Sequence, residues 1–336
     1  MMRFIGIVAG TALLLVLMSS AYNLAIAKWQ YAHNPVPGNF YTVDGKQMHL
    51  NCTGAGSPTV VIEAGASSNS LGWQGVQPKL SQLTRVCSYD RPGDGWSEPR
   101  PGPHDAETIA RRLHALLDQA REQRPLVLLG HSAGGLYIRE YAREFPAEVV
   151  GAVMIDSSSP RQIDEFPRFR QDWEADKHAA PRQLRIEQLR VWSGWDRMTG
   201  NCHDKPSPEE ASLAGQYDAE MCRPEYVGEE DNELPYYEAS FKQADRLTSF
   251  GHIPLLVMSR DPSLAKIPAE IAEQPIWDHE QEALKSLSPV SWRVIARGGS
   301  HSLHHQRLDL VLVEITRLID YLRGGPAPPF GTTTYE

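Results

Sequence analysis

Short apolar runs alternate with helical periods along most of the chain. Thr59-Val60-Val61-Ile62-Glu63, Arg85-Val86-Cys87-Ser88-Tyr89, Leu126–Leu129, Val149–Ile155, Pro254–Met258 and Ser291–Ala296 are strand-length and dominated by β-branched or aliphatic residues. The continuous runs predict strands buried on both faces. Between them, Ile109, Leu113, Leu116, Leu117 and Ala120 share one helical face, with Arg111, Arg112 and Gln119 opposite and Asp105 as N-cap. Asp309–Leu322 predicts a closing amphipathic helix, stopped by Gly324-Gly325. Upstream, Phe40–Val43 and Met48–Cys52 flank Asp44-Gly45, a hairpin dipeptide. This rhythm predicts an α/β fold with a mostly parallel central sheet flanked by helices. It breaks between Pro160 and Phe250, a stretch rich in charge, Trp and Tyr and without a buried-strand run. The expected organisation is therefore a core of residues 28–160 and 250–325, a largely helical cap insertion over 161–249, and a flexible tail over 326–336.

Residues 1–27 follow a different pattern. Met1-Met2-Arg3 is a short positive start, Phe4–Met18 is nearly all apolar, and Ala25-Ile26-Ala27 is a small-x-small ending. That is the arrangement of a secretory signal peptide. Residues 4–27 are also long enough for a retained membrane anchor. Either reading exports the rest of the chain, to the periplasm or the medium in one case and to the outer side of a membrane in the other. Four cysteines, Cys52, Cys87, Cys202 and Cys222, fit an exported chain with disulfides, for which three pairings exist; the alternative is four buried thiols acting as small hydrophobes. Their spacing is not that of a zinc site. The 42 acidic and 33 basic residues leave a net charge of -9 with no basic block. That balance argues against nucleic acid as a partner and says little about the substrate.

The decisive motif is Gly130-His131-Ser132-Ala133-Gly134, directly after the strand Leu126–Leu129 and directly before a predicted helix, Leu136–Phe145. In this strand–turn–helix setting a G-x-S-x-G pattern predicts a strained turn that lifts the Ser132 hydroxyl above the sheet edge. With Val60–Gly65, Tyr89-Asp90-Arg91-Pro92-Gly93-Asp94-Gly95-Trp96-Ser97, Gly130–Gly135, Val153–Asp156 and Gly298–Val311 in this order, the chain resembles the α/β-hydrolase superfamily, in particular its capped serine esterase and lipase-like branch. Asp94 departs from the pattern, since relatives more often carry an aromatic or apolar residue there.

The resemblance implies a serine hydrolase that cleaves a carboxylic ester or related acyl bond without metal or cofactor. His301, after the last strand, takes the place of the base, and His131, His304 and His305 those of packing or surface residues. Asp261, after Pro254–Met258, gives the chain order Ser132, Asp261, His301 usual for this fold, and Asp156 is the alternative acid. The oxyanion donors are expected to be the backbone N–H groups of Ala133 and Ala66. Trp173, Trp192, Trp195, Tyr217, Tyr226, Tyr236, Tyr237 and Phe241 of the cap either line the pocket or pack the cap. A serine at the elbow argues against the dehalogenase and epoxide hydrolase branches, which use aspartate. A peptidase or amidase, an acyltransferase, and a binding module without catalysis remain as alternatives.

Overall fold

The computed structural model describes residues 2–66, 68–200, 214–222 and 233–335. Among these residues nine strands form one sheet: β1 (Asn39–Val43), β2 (Lys46–Thr53), β3 (Thr59–Glu63), β4 (Val86–Tyr89), β5 (Leu126–His131), β6 (Val149–Ile155), β7 (Leu255–Ser259), β8 (Ser291–Ala296) and β9 (Gly331–Tyr335). Their order across the sheet is β1-β2-β4-β3-β5-β6-β7-β8-β9. Only the pairings of β2 with β1 and with β4 are antiparallel; the others are parallel. The hairpin turn falls on Asp44 and Gly45, both at positive φ, as its dipeptide demands.

Alternation along the central strands feeds two cores. Leu126 and Leu128 pack on one face with Leu113 and Leu116 of helix α2 (Ala106–Gln119) and Ile138 of α3 (Gly134–Glu144). Val127 and Leu129 pack on the other, with Val311 and Ile315 of the closing helix Leu308–Leu322. Successive strand side chains point to opposite faces, so apolar runs are what a sheet covered on both sides requires. The α2 N-terminus is capped as its sequence predicts, Asp105 accepting from the Thr108 N–H at 2.9 Å.

Cys52 and Cys87 face each other across β2 and β4 and are joined in a disulfide. Cys222 is also disulfide-bonded, and Cys202 lies outside the described residues. The tail expected to be flexible instead carries β9, which pairs along β8 from Gly331 to Tyr335. Without it β8 would present an unpaired edge, and Thr332, Thr333 and Thr334 are good strand formers.

The stretch between β6 and β7, expected as the cap and so named below, contains the long helix α4 (Pro167–Ser193), followed by α5 (Trp195–Thr199), α6 (Ala214–Met221) and α7 (Tyr237–Ala244). Its aromatics divide between roles. Trp173, Tyr237 and Phe241 are buried between cap and core, Tyr217 packs against the cluster of Leu71 and Trp96, and Tyr236 lies near His104. Trp192 and Trp195 are exposed, and Tyr226 lies outside the described residues.

The N-terminal segment is one helix, α1 (Met2–His33), which continues past Ala27. Its second half docks on the cap. Asn23 Nδ2 donates to the Val191 carbonyl at 2.8 Å, and Arg197 Nε donates to Asn23 Oδ1 at 2.6 Å. Gly194, at φ +77, lets the helices approach: a Cβ there would lie 3.0 Å from the Ser19 carbonyl oxygen. Among the described residues no helix is long and apolar enough to cross a membrane. Cleavage after Ala27 would remove Asn23 and with it these contacts to Val191 and Arg197. A chain beginning at Lys28 should therefore unfold roughly 5 °C below the full chain, as followed by circular dichroism; equal midpoints would show that the docking adds no stability.

Candidate active site

Strand β5 ends in the turn that carries Ser132, at φ +52. A left-handed conformation is costly for a residue with a Cβ, so the surroundings must hold it. The Ser132 N–H donates to the Ile155 carbonyl at 3.2 Å, and the Ser132 carbonyl accepts from the Ser158 N–H at 2.9 Å. The flanking glycines are there for space: a Cβ at Gly130 would meet the Gly134 carbonyl oxygen at 2.7 Å, and one at Gly135 the Ser157 side chain at 2.5 Å.

The neighbouring strand β6 ends in a second left-handed residue, Asp156, at φ +43 and fully buried. Asp156 Oδ2 lies 2.6 Å from His301 Nδ1, and Oδ1 accepts from Trp277 Nε1 at 3.0 Å and from the Arg260 N–H at 3.1 Å. Burial works to raise the pKa of this carboxyl. The hydrogen bond and charge of His301, with the nearby Arg260, outweigh it and hold the group below its ordinary range. A carboxylate facing Nδ1 fixes that nitrogen as the donor and leaves Nε2 free to accept a proton.

The structure thus brings Asp156, not Asp261, to the imidazole. The Asp261 carboxylate is occupied elsewhere: Oδ1 accepts from the Ser263 N–H and hydroxyl at 2.9 and 2.7 Å and from Arg297 Nη1 at 3.0 Å, and Oδ2 from the Gly298 N–H at 2.9 Å. Asp261 therefore shapes the loop that carries His301 without touching the ring. Chain order alone favours it because both acids follow sheet strands, and only the direction of the turn after each strand separates them.

Ser132 and His301 line one cavity of about 570 Å³, together with Ala66 and Ala133. Leu136, Phe166, Phe169, Tyr237, Phe241 and Trp277 give it an apolar wall. Arg168, Asp172, Arg260, Glu270 and Glu273 also line it and add charge of both signs. Asp94 is buried, its carboxylate 3.3 Å from Arg91 Nε. His131 is buried and depressed to about 4, chiefly by desolvation and then by the charge of His301, and its Nε2 lies 2.9 Å from the His301 carbonyl oxygen. His304, expected as a packing or surface residue, is a packing one: it is buried and stacked on Trp73 at 4.4 Å, and burial pushes its pKa well down. Cys52, Cys87 and Glu122 lie close enough together for a metal, but the two sulfurs are spent in their disulfide.

Two contributors to the site give no signal in the sequence. Trp277 comes from the helix Pro268–Lys285. Arg260, next to Asp261, stacks its guanidinium 4.2 Å from the centroid of the Trp277 ring and places Nη1 3.5 Å from Asp156 Oδ2. No motif marks either residue; the β7 turn and the helix packing bring them together.

Asp261 has a measurable signature of its own. Burial would raise its pKa, but the Gly298 and Ser263 donors and Arg297 bring it down to about 2. A folded-state value below the unfolded value, near 3.9, adds stability that is complete above about pH 4 and fades as the pH falls towards 2. In thermal unfolding measured against pH, Asp261→Asn should therefore be less stable than the native chain at pH 7, with the gap closing between about pH 4 and 2. A gap independent of pH would refute this account.

Comparison with known proteins agrees with the fold. The Alpha/beta hydrolase family matches residues 60–313. An uncharacterized protein of Schizosaccharomyces pombe is 33% identical over 163 residues, covering 40% of this chain and 30% of that protein. YqjL of Bacillus subtilis, also uncharacterized, is 22% identical over 276 residues, or 82% of this chain and 89% of that one. The match to a probable transporter of Hormonema carpetanum covers only 18% of its length, so the chain spans less than a third of some curated relatives. Among solved structures, a putative epoxide hydrolase from Pseudomonas aeruginosa superposes with a TM-score of 0.64 at 18% identity, covering 85% of this chain and 96% of that one. A thermophilic esterase from Thermogutta terrifontis gives 0.57, also at 18%, covering 86% and 98%. With the elbow, the sheet order and a family match over three quarters of its length, the chain belongs to the alpha/beta hydrolase family.

Proposed function

We propose that this protein is a serine hydrolase that cleaves a carboxylic ester through an acyl-enzyme on Ser132, with His301 as base and Asp156 as the acid that orients it. One observation carries the reading: Ser132 on its left-handed turn shares a cavity with His301, whose Nδ1 is held by a buried carboxylate at 2.6 Å. In this scheme His301 Nε2 takes the Ser132 proton as the oxygen attacks the substrate carbonyl. The same nitrogen returns that proton to the leaving alcohol, then activates water to release the acid. Asp156 keeps the tautomer and stabilises the imidazolium. The Ala66 and Ala133 N–H groups are the oxyanion donors, and the apolar wall supports an uncharged acyl or alcohol group. A serine at the elbow supports acyl chemistry over the aspartate-nucleophile branches of the fold.

The Cys52–Cys87 bridge supports an oxidising, extracytoplasmic location. Leu13, Leu14, Leu15, Val16, Leu17 and Met18 are all exposed around α1, and this supports a retained helix resting against lipid over a cleaved signal.

A fluorophosphonate probe should label the native chain on the peptide that contains Ser132, and Ser132→Ala should lose both labelling and hydrolysis of short p-nitrophenyl esters while remaining folded. Labelling elsewhere, or activity that survives the substitution, would reject the nucleophile. Turnover of amides, or acyl transfer to an alcohol in preference to water, would move the protein to the peptidase or acyltransferase alternatives. For the acid, Asp156→Asn should lower kcat by about three orders of magnitude and Asp261→Asn by less than about tenfold. The reverse ranking would return the role to Asp261.

A further inference from the structure

Beside the nucleophile lies a buried charge network that the proposed chemistry does not use. Its centre is Arg91, only 3% exposed. Nη1 donates to Glu63 Oε1 at 2.9 Å and to the Ala64 carbonyl at 3.0 Å, Nη2 donates to the Gly65 carbonyl at 2.9 Å, and Nε donates to the carboxylate of Glu233. Glu63 ends strand β3, whereas Glu233 belongs to the cap and also accepts from the Tyr137 hydroxyl at 2.7 Å. Burying a guanidinium is costly unless its donors are satisfied, and here they go to the end of β3, the loop that follows it and the cap.

The geometry of one peptide unit gives this arrangement a purpose. The Gly65 carbonyl and the Ala66 N–H belong to the same peptide plane, and in a trans peptide they point in opposite directions. Arg91 holds the carbonyl on the buried side, so the N–H is turned to the side on which Ala66 lines the cavity with Ser132 and Ala133. Gly65 itself abuts the nucleophile: a Cβ there would lie 3.0 Å from the Ser132 Cβ. A cationic donor on the carbonyl also polarises the amide and strengthens its N–H as a donor.

We propose that Arg91 is the positioning residue for the oxyanion donor of Ala66, and that Glu233 ties the seating of the cap to that donor. The inference rests on the reading of Ser132 as nucleophile. An oxyanion donor acts on charge that develops in the transition state, so its misalignment lowers kcat and leaves substrate binding largely intact. A purely structural role for Arg91 would show in unfolding and not in that split.

The test uses the full chain, a p-nitrophenyl ester and a fluorophosphonate probe. Arg91→Lys keeps the charge but cannot reach both carboxylates and both carbonyls. It should lower kcat by about 10²-fold, change KM by less than about threefold, and slow labelling of Ser132 in parallel. The pH dependence of kcat/KM should keep the position of its native limb, because the His301–Asp156 pair is untouched. Glu233→Gln leaves Arg91 on the loop but weakens the tie to the cap, and should lower kcat by about tenfold. A folded Arg91→Lys with native kcat, or with a loss confined to KM, would overturn the proposal. If Arg91→Lys does not fold, Glu233→Gln decides: native kcat overturns the proposal, and a kcat-only loss supports it. A native chain that the probe does not label would instead overturn the hydrolase reading on which the inference stands.

Discussion

Two adjacent parallel strands ending in left-handed turns are the constraint on which the site depends. Ser132 follows β5 and Asp156 follows β6, both at positive φ and neither a glycine. Such residues persist only where the surroundings over-determine them. Here each turn helps to hold the other: the Ser132 N–H reaches back to Ile155, and the Ser158 N–H just beyond Asp156 reaches the Ser132 carbonyl. The register of β5 with β6 therefore sets the spacing of hydroxyl and carboxylate before any side-chain contact is made. The loop after β8 brings the imidazole to that carboxylate and to the cavity Ser132 lines, and it is in turn pinned through Asp261 to the end of β7.

The fold is largely legible in the sequence, because a parallel sheet covered on both faces needs continuous apolar runs of strand length, and few local structures besides it call for them. The elbow is legible for a related reason: Gly130, Gly134 and Gly135 are required by contacts too close for a Cβ, and that requirement leaves a fixed spacing in the chain. The acid is not separable by the same means. Asp156 and Asp261 both begin loops after sheet strands, and what distinguishes them is the sense of a turn and the position of Ser263, Arg297 and Gly298. Neither leaves a periodic trace. Trp277 and Arg260 escape a reading of the chain because their relevance exists only in three dimensions. The terminal strand Gly331–Tyr335 escapes it too, since a short polar run after proline-rich sequence reads as coil until an open sheet edge is available to it.

The cap is not an independent lid laid over a finished site. Its Glu233 reaches the same guanidinium as Glu63 at the end of β3, and its Tyr237 and Phe241 complete the apolar wall beside Leu136 of the core. The burial of Glu63 raises its carboxyl to about 7 despite the opposing effects of Arg91 and Tyr89. The network therefore sets one guanidinium against several carboxylates in a buried setting, where small changes in seating have large electrostatic effects.

The indole of Trp277 has a further use. It donates to the buried carboxylate of Asp156, lies under the guanidinium of Arg260 and meets the cap through Phe166, 6.0 Å away between ring centroids. Indole emission responds to the local field, so this ring is a built-in optical gauge at the junction of the Asp156 charge and the cap. With the other tryptophans replaced, its fluorescence would follow the site without any attached dye.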